Sequence, residues 1–330
     1  MSDGSLKVID GVELRAADFS FPESGSTVAG AGVLELAESR ASQSLYGLSL
    51  PESLKSSAFK RLNLPDDLLT FRGKEISTDQ ASRVLGDYIT AMADELKDDP
   101  LLVAVLDGNT LKLFLDDEDD FAMLAESLFT DLDIEDEGKL SKSELRNALV
   151  VMGVEMGVPP FSEFPKLNEI LKDHLAEGDE KLGQAQFAQL LQLVLQDLAD
   201  ALAEAHVVVI QNVKIINGSK LRKILVDEKQ LNDVIEKIYQ ENLNGRKGRS
   251  CKEVIKSYFD QNCEKLGLPS SEANEPVSLL YADVFSNTDD GERSGSMDLQ
   301  KNEFEESVKK ILEKFADQLE ECPVFHDLDN

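Results

Sequence analysis

The chain has 330 residues, of which 42% are apolar and 30% are charged, a balance typical of a globular protein with two or three separate cores. Its 34 lysines and arginines stand against 64 aspartates and glutamates, which gives a formal net charge of -30. This charge argues against nucleic acid and anionic membrane surfaces as partners, because both would repel the chain. It favours cations and basic protein surfaces instead.

Cysteine usage and the N-terminus predict a cytosolic protein. The three cysteines, Cys251, Cys263 and Cys322, are an odd number without metal-ligand spacing, so no disulfide framework is expected. Residues 1–4 lack the basic start and apolar core of a signal peptide, and they lack the glycine needed for myristoylation. The apolar run at 207–210 is too short to cross a bilayer. We predict a cytosolic location, with access to the nucleus left open.

A short segment recurs at intervals along the chain, and such periodicity decides the architecture. The recurring openings are Asp10-Gly11, Asp107-Gly108 and Asn217-Gly218, and the last two are 110 positions apart. Three further glycines recur at the same interval, namely Gly47, Gly157 and Gly267. Each copy ends in a predicted amphipathic helix, at 84–96, 190–202 and 308–319. We therefore divide the chain into three repeats, at 1–100, 101–207 and 208–330.

Apolar spacing within the repeats predicts pairs of helices joined by loops. In the second repeat, the apolar positions before the acidic gap are Phe121, Leu124, Ala125, Leu128, Phe129 and Leu132, and those after it are Leu145, Ala148, Leu149 and Met152. The third repeat has the same pattern at Leu231, Val234, Ile235, Ile238 and Tyr239, and again at Phe304, Val308, Ile311 and Phe315. Strand signals are weak, so we predict a mainly α fold of EF-hand-like helix-loop-helix pairs, with only short β contacts between paired loops.

Residues 133–144, hereafter the acidic loop, match the twelve-residue calcium loop of EF-hands at places one, three, five, six, nine and twelve. Calcium takes six to eight oxygen ligands, and this spacing wraps one short loop around the ion. Asp133, Glu135 and Glu137 would supply carboxylate oxygens, while Gly138 permits the positive φ of the sharp turn. Glutamates at places three and five depart from the commonest pattern, and they leave the affinity and the magnesium selectivity open.

The second half of the acidic loop completes the predicted site. Lys139 would contribute its backbone carbonyl, Ser141 would act directly or through water, and Glu144 would chelate with both oxygens. Because Glu144 belongs to the outgoing helix, ion binding would be coupled to the position of that helix. Leu140 is expected to pair with a neighbouring loop through a short β contact.

Two other loops have the right length without the acidic pattern. In residues 175–186, hereafter the facing loop, Leu175 replaces the first carboxylate and Gln186 the last one, so we predict a structural partner that binds no ion. Residues 242–253 carry four cationic side chains that would repel calcium. Together with Lys220, Arg222 and Lys223 they could form a docking place for an acidic partner, or simply a solvated loop that has lost its function.

The remaining loops are less regular. Residues 287–303 keep carboxylates but are several residues too long, which leaves a weak second ion site open. Residues 24–35 and 69–80 stand where the loops of the first repeat should be, but neither has the acidic pattern. The acidic loop is thus the one well-formed calcium loop in the sequence.

With these loops and the openings at Asp10, Asp107 and Asn217, the chain resembles a plant EF-hand calcium-binding family. That family includes the calcium sensor that interacts with SNF1-related protein kinases of subclass two. The resemblance implies calcium-dependent binding to a protein kinase and restraint of its activity.

Three classes of function follow from these patterns. The first is an intracellular calcium sensor in which ion binding opens a groove lined by Met123, Met152 and Met156 to a partner helix. The second is a scaffold that binds partner peptides constitutively, with calcium only structural. The third, an enzyme, is disfavoured. The histidines, His174, His206 and His326, have no carboxylate or cysteine at catalytic spacing, and glycine-rich phosphate loops are absent.

Overall fold

The computed structural model describes residues 6–16, 27–175, 181–244, 251–286 and 297–328. Within them the chain is mainly helical, as predicted. The helices are α1 (Val12–Arg15), α2 (Gly30–Ser44), α3 (Glu52–Arg61), α4 (Leu68–Arg72), α5 (Thr78–Asp98), α6 (Asn109–Asp116), α7 (Glu118–Leu132), α8 (Glu144–Met152), α9 (Lys166–His174), α10 (Gln184–Glu204), α11 (Ser219–Val226), α12 (Glu228–Asn244), α13 (Cys251–Gln261), α14 (Cys263–Leu266), α15 (Glu275–Ser286) and α16 (Met297–Glu321). A 3-10 turn spans Val154–Met156.

The strands are β1 (Leu6–Ile9), β2 (Thr27–Ala29), β3 (Glu75–Ser77), β4 (Leu101–Leu106), β5 (Leu140–Ser141), β6 (Lys181–Leu182), β7 (Val207–Ile216) and β8 (Val324–Asp327). None of the helices described is both long and apolar enough to cross a bilayer.

The chain forms two compact units. Unit 1 comprises Met1–Met92 and Leu102–Gln211, and unit 2 comprises Ala93–Leu101 and Asn212–Asn330. Unit 1 thus holds most of the first two predicted repeats, and unit 2 holds most of the third. The exact division into three repeats stays a prediction.

The prediction that β structure is limited to short contacts between loops is wrong. Four strands form one sheet in the order β1-β4-β7-β8. The run at 207–210, which the sequence suggested was a connector or a single short pairing, is the start of the ten-residue strand β7. Residues 213–216 of β7 lie in unit 2, where they pair antiparallel with β8 and place Ile215 opposite Phe325. Short apolar runs fit a strand or a buried helix equally well, so their periodicity did not identify these strands.

The recurring openings have one conformation at all three places. Each follows a strand and begins a short helix, and the Asp or Asn side chain accepts a hydrogen bond from the backbone N–H two residues later. These bonds measure 3.0 Å at Asp10, 3.0 Å at Asp107 and 3.1 Å at Asn217. The glycines that follow, Gly11, Gly108 and Gly218, have φ of 81°, 84° and 75°. The repeat seen in the sequence is therefore an Asx turn with a left-handed glycine.

The predicted apolar faces form the cores of the two units. In unit 1, α7, α8 and α10 bury their apolar faces together, with the Phe129 and Phe187 rings 5.7 Å apart in an edge-to-face contact. In unit 2, α11, α12, α15 and α16 do the same around Phe315, whose ring lies 4.8 Å from that of Tyr281. The helical spacing predicted before and after the acidic loop is confirmed, because Leu128 and Leu145 are both buried.

Candidate metal site

The acidic loop joins two helices that are anchored in the core of unit 1. The helix before it, α7, is capped at its N-terminus by Asp117, whose carboxylate accepts hydrogen bonds from the backbone N–H groups of Asp119 and Asp120 at 3.1 and 3.0 Å. Asp133 is the C-cap, and its N–H donates to the Phe129 carbonyl at 3.0 Å before the backbone leaves the helix. The next helix, α8, begins at Glu144. Asp133 and Glu144, the predicted first and last ligands, therefore lie at the two helix ends.

The first half of the acidic loop is wound around the Asp133 carboxylate. One carboxylate oxygen accepts the backbone N–H of Glu137 at 3.0 Å, and the other accepts that of Gly138 at 2.7 Å. The turn needs two left-handed residues, Asp136 with φ 53° and Gly138 with φ 66°. Glycine adopts such a φ without a steric penalty, and aspartate is among the few other residues that tolerate it. The prediction that Gly138 supplies the turn is confirmed.

The second half of the acidic loop pairs with the facing loop. Leu140 lies opposite Leu182, and Ser141 lies opposite Lys181, in the antiparallel pair of β5 and β6. The two leucine side chains are buried. The predicted short β contact of Leu140 is therefore confirmed. Residues 176–180 of the facing loop lie outside the described residues.

A second ladder of the same kind joins two loops of the first repeat, where Val28 lies opposite Ile76. Counted from residue 69, Ile76 stands at the eighth place, which is also the place of Leu140 in the acidic loop. Counted from residue 24, however, the eighth place would be Ala31. The frame predicted for the loop at 24–35 is therefore displaced by three residues from the pairing in the structure, and residues 24–26 lie outside the described part.

The Glu137 carboxylate forms an ion pair with the ammonium of Lys181, which comes from the facing loop. The hydrogen bond from this ammonium to Glu137 raises the pKa of Lys181, and the charges of Glu137, Glu135 and Asp133 act in the same direction. The two side chains of the pair remain about half exposed, at 55% for Lys181 and 45% for Glu137. Sequence reasoning missed this contact, because the two residues are 44 positions apart and the facing loop was judged by its missing ligands alone.

Two other predicted ligands, Glu144 and Ser141, also have partners within the protein. The Glu144 carboxylate accepts a hydrogen bond from the Asn147 side-chain amide at 2.7 Å, one turn along α8. The hydroxyls of Ser141 and Ser143 are 2.8 Å apart. Lys139 is exposed.

The donor set of the acidic loop fits calcium chemically, although its carboxylates do not yet converge. Four carboxylates, one hydroxyl and one backbone carbonyl give hard oxygen donors on twelve residues, as calcium prefers. In the described part of the chain, however, no three His, Cys, Asp or Glu side chains are grouped closely enough to hold a metal ion. Glu137 and Glu144 are turned towards Lys181 and Asn147 instead. Coordination would require both side chains to exchange these partners.

The cations proposed as a docking place already have partners in unit 2. Lys220 donates to the Glu264 carbonyl at 2.5 Å, and Lys223 pairs with Asp98. Arg222 pairs with Asp317 and, at 2.8 Å, with Glu320. Of the basic loop at 242–253, residues 245–250 lie outside the described residues, as do residues 287–296 of the long loop at 287–303.

The three methionines predicted to line a groove lie in different environments. Met123 on α7 is 70% exposed, whereas Met152 at the end of α8 is buried. Met156 is partly buried against the core of unit 1. In this conformation they do not form one exposed apolar surface.

One histidine has a carboxylate neighbour that residue spacing did not indicate. His174 Nε2 lies 2.6 Å from the Asp197 carboxylate, although the two residues are 23 positions apart. His206 Nε2 lies 2.8 Å from the Tyr46 carbonyl oxygen. The spacing of residues thus gave no sign of the carboxylate that lies beside His174 in the fold.

No family model, curated protein or solved structure matches the chain. The candidate site is therefore interpreted from its own residues and geometry.

Proposed function

We propose that this chain is an EF-hand calcium-binding protein with a single ion site in the acidic loop. The observation that carries the proposal is the conformation of that loop. It turns around Asp133 through two backbone hydrogen bonds, and it pairs with the facing loop through Leu140. A solvated acidic loop needs neither feature. The flanking helices α7 and α8 give it the helix-loop-helix arrangement of an EF-hand.

The ligands would be Asp133, Glu135, Glu137, the carbonyl of Lys139, Ser141 and Glu144. Calcium supplies the positive charge that lets these oxygens lie close together despite their mutual repulsion. Asp133 is already oriented by its backbone hydrogen bonds. To bind the ion, Glu144 would give up its hydrogen bond from the Asn147 amide. Because Glu144 is the first residue of α8, its movement would shift the start of that helix.

Movement of α8 gives the site a route to regulate a partner protein. Leu145 and Leu149 pack α8 into the core of unit 1, while Val150 and Val151 on the same helix are exposed at 62% and 57%. A shift of α8 therefore changes both the core packing and an exposed apolar surface. We therefore propose that a partner protein binds in a calcium-dependent way. By the family resemblance, this partner would be a protein kinase.

The alternative is an EF-hand scaffold that binds partner peptides constitutively, with calcium only structural, and the apolar side chains of Val150 and Val151 are exposed for such binding without an ion. The two functions differ in what calcium does to α8. Under the sensor proposal, the backbone amide NMR signals of residues 145–152 of α8 shift when calcium is added to the intact chain. Under the scaffold proposal, shifts stay within residues 133–144.

The direct test is calorimetry with calcium chloride on the intact chain and on Glu144→Gln. Glutamine keeps the shape of the side chain but removes its charge, so we expect the affinity to fall by about ten- to a hundredfold, since interactions with a charged group are worth about 1.5–3 kcal/mol. The matched control is Glu126→Gln on the exposed face of α7, which removes the same charge outside the loop. Wild-type binding in Glu144→Gln would contradict this site.

A further inference from the structure

The ion pair between Lys181 and Glu137 places a cation of the protein itself at the candidate calcium site. Glu137 stands at the fifth place of the acidic loop, where it is a predicted ligand. The ammonium comes from the facing loop, which has lost the first and last ligands of its own. A positive charge in this position repels any second cation that approaches the same carboxylates.

The backbone fixes where this lysine stands. Lys181 lies opposite Ser141 in the β5–β6 pair, and its neighbour Leu182 is buried opposite Leu140. The ladder therefore holds the Lys181 Cα beside the ninth place of the acidic loop. Only the side chain is free to move, and it reaches back to the fifth place. An ordinary surface lysine has no such constraint.

The charges around the ammonium come from three predicted ligands. Glu137 contributes most, and Glu135 and Asp133 add to its effect on the pKa of Lys181. The lysine thus offsets part of the repulsion among the carboxylates while no ion is bound.

We propose that Lys181 is a tethered cation that competes with calcium for the Glu137 carboxylate and so sets the calcium affinity of the acidic loop. The proposal rests on the proposed function, because it concerns the same site. When calcium binds, the Lys181 ammonium either leaves Glu137 or stays near the ion, which then repels it. In both cases the lysine weakens binding, and its removal strengthens it.

Calorimetry with calcium chloride on the intact chain tests the proposal through Lys181→Gln and Lys181→Arg. At low ionic strength we expect Lys181→Gln to bind calcium about three- to fivefold more tightly than the wild type, the range of a partly exposed charge interaction. Lys181→Arg keeps the charge and should stay within about twofold of the wild type. In 1 M potassium chloride the difference should fall below about twofold, because the Debye length is then only about 3 Å.

The matched control is Lys310→Gln. Lys310 is an exposed lysine on α16 that pairs with Glu306 at 3.0 Å, so its loss changes the net charge equally but outside the acidic loop. It should bind calcium as the wild type does. Unchanged melting of Lys181→Gln, followed by circular dichroism, would show that the variant folds.

The outcomes separate this proposal from the proposed function. Calcium binding of equal strength in the wild type and Lys181→Gln would overturn the role of Lys181 and leave the calcium site intact. Binding by Lys181→Gln with none by the wild type would support the proposal in its strongest form. If neither chain binds calcium, the proposed function fails and the competition fails with it.

Discussion

Gly108→Ala is expected to lower the free energy of unfolding of unit 1 by about 2–5 kcal/mol, the sum of a left-handed backbone penalty and an overpacking penalty. Gly108 has φ 84°, which a residue with a Cβ rarely adopts. An alanine Cβ would also lie 2.2 Å from the backbone carbonyl oxygen of Ala199 on α10. That oxygen belongs to the backbone of the buried residue Ala199, and it cannot move aside as a flexible side chain could.

Gly47→Ala is the matched control for the backbone penalty. Gly47 has nearly the same φ, 80°, and belongs to the same unit, but an added Cβ would meet no atom within 4 Å. Gly47→Ala should lower the free energy of unfolding by only about 1–2 kcal/mol. Urea unfolding followed by circular dichroism at 222 nm measures both variants, and hydrogen exchange of the α10 amides assigns the change to unit 1. Equal losses in the two variants would show that helix α10 does not approach Gly108 closely.

The same close approach explains why the chain repeats an Asx-Gly pair. In unit 2, a Cβ on Gly218 would lie 2.9 Å from the Ala316 carbonyl oxygen of α16. Thus Gly108 and Gly218 each face the long helix that closes their own repeat. The sequence revealed the repeated pair and predicted the helix that ends each repeat, but it did not show that this helix passes over the pair, because the contacting residues are 91 and 98 positions apart.

The conformation of the acidic loop and its two helices was predictable because their pattern is local. Twelve consecutive residues carry the ligand spacing, and the apolar positions of α7 and α8 recur within a turn or two. The contact of Leu140 was also predicted, from its place between the predicted ligands Lys139 and Ser141, whereas Ile134, the other apolar residue of the loop, is 89% exposed. The partner of Leu140, Leu182, was identifiable only because the facing loop has the same length.

The features that were missed depend on contacts between distant residues. The strands of the four-stranded sheet come from distant segments, and each alone is a short apolar run without decisive periodicity. In the structure Val28 pairs with Ile76, whereas the loop predicted at 24–35 would have put residue 31, three positions later, at that place. The ion pair of Lys181 with Glu137 follows from the β5–β6 register, which no local pattern encodes.

Under the proposed function, Asp133→Asn is expected to weaken calcium binding by at least about tenfold, because it removes a proposed charged ligand that also organises the loop. Asp133 uses both carboxylate oxygens to accept the backbone N–H groups of Glu137 and Gly138. Asparagine can accept only one of these bonds, and its NH₂ group would face the other N–H donor. The substitution therefore weakens calcium binding in two ways: it removes a charge that contacts the ion, and it disturbs the turn that positions the other proposed ligands.

Asp136→Asn separates this geometric role from simple negative charge. Asp136 lies three residues further along the same loop, is exposed and stands at the fourth place, which supplies no ligand. Its φ of 53° is tolerated by asparagine as well as by aspartate, so the turn should persist. Both variants remove one charge from the loop, and calorimetry should find Asp136→Asn within about threefold of the wild type, as expected for an exposed charge. Equal weakening in the two variants would mean that calcium is attracted by acidic residues in general and is not held by a defined set of ligands.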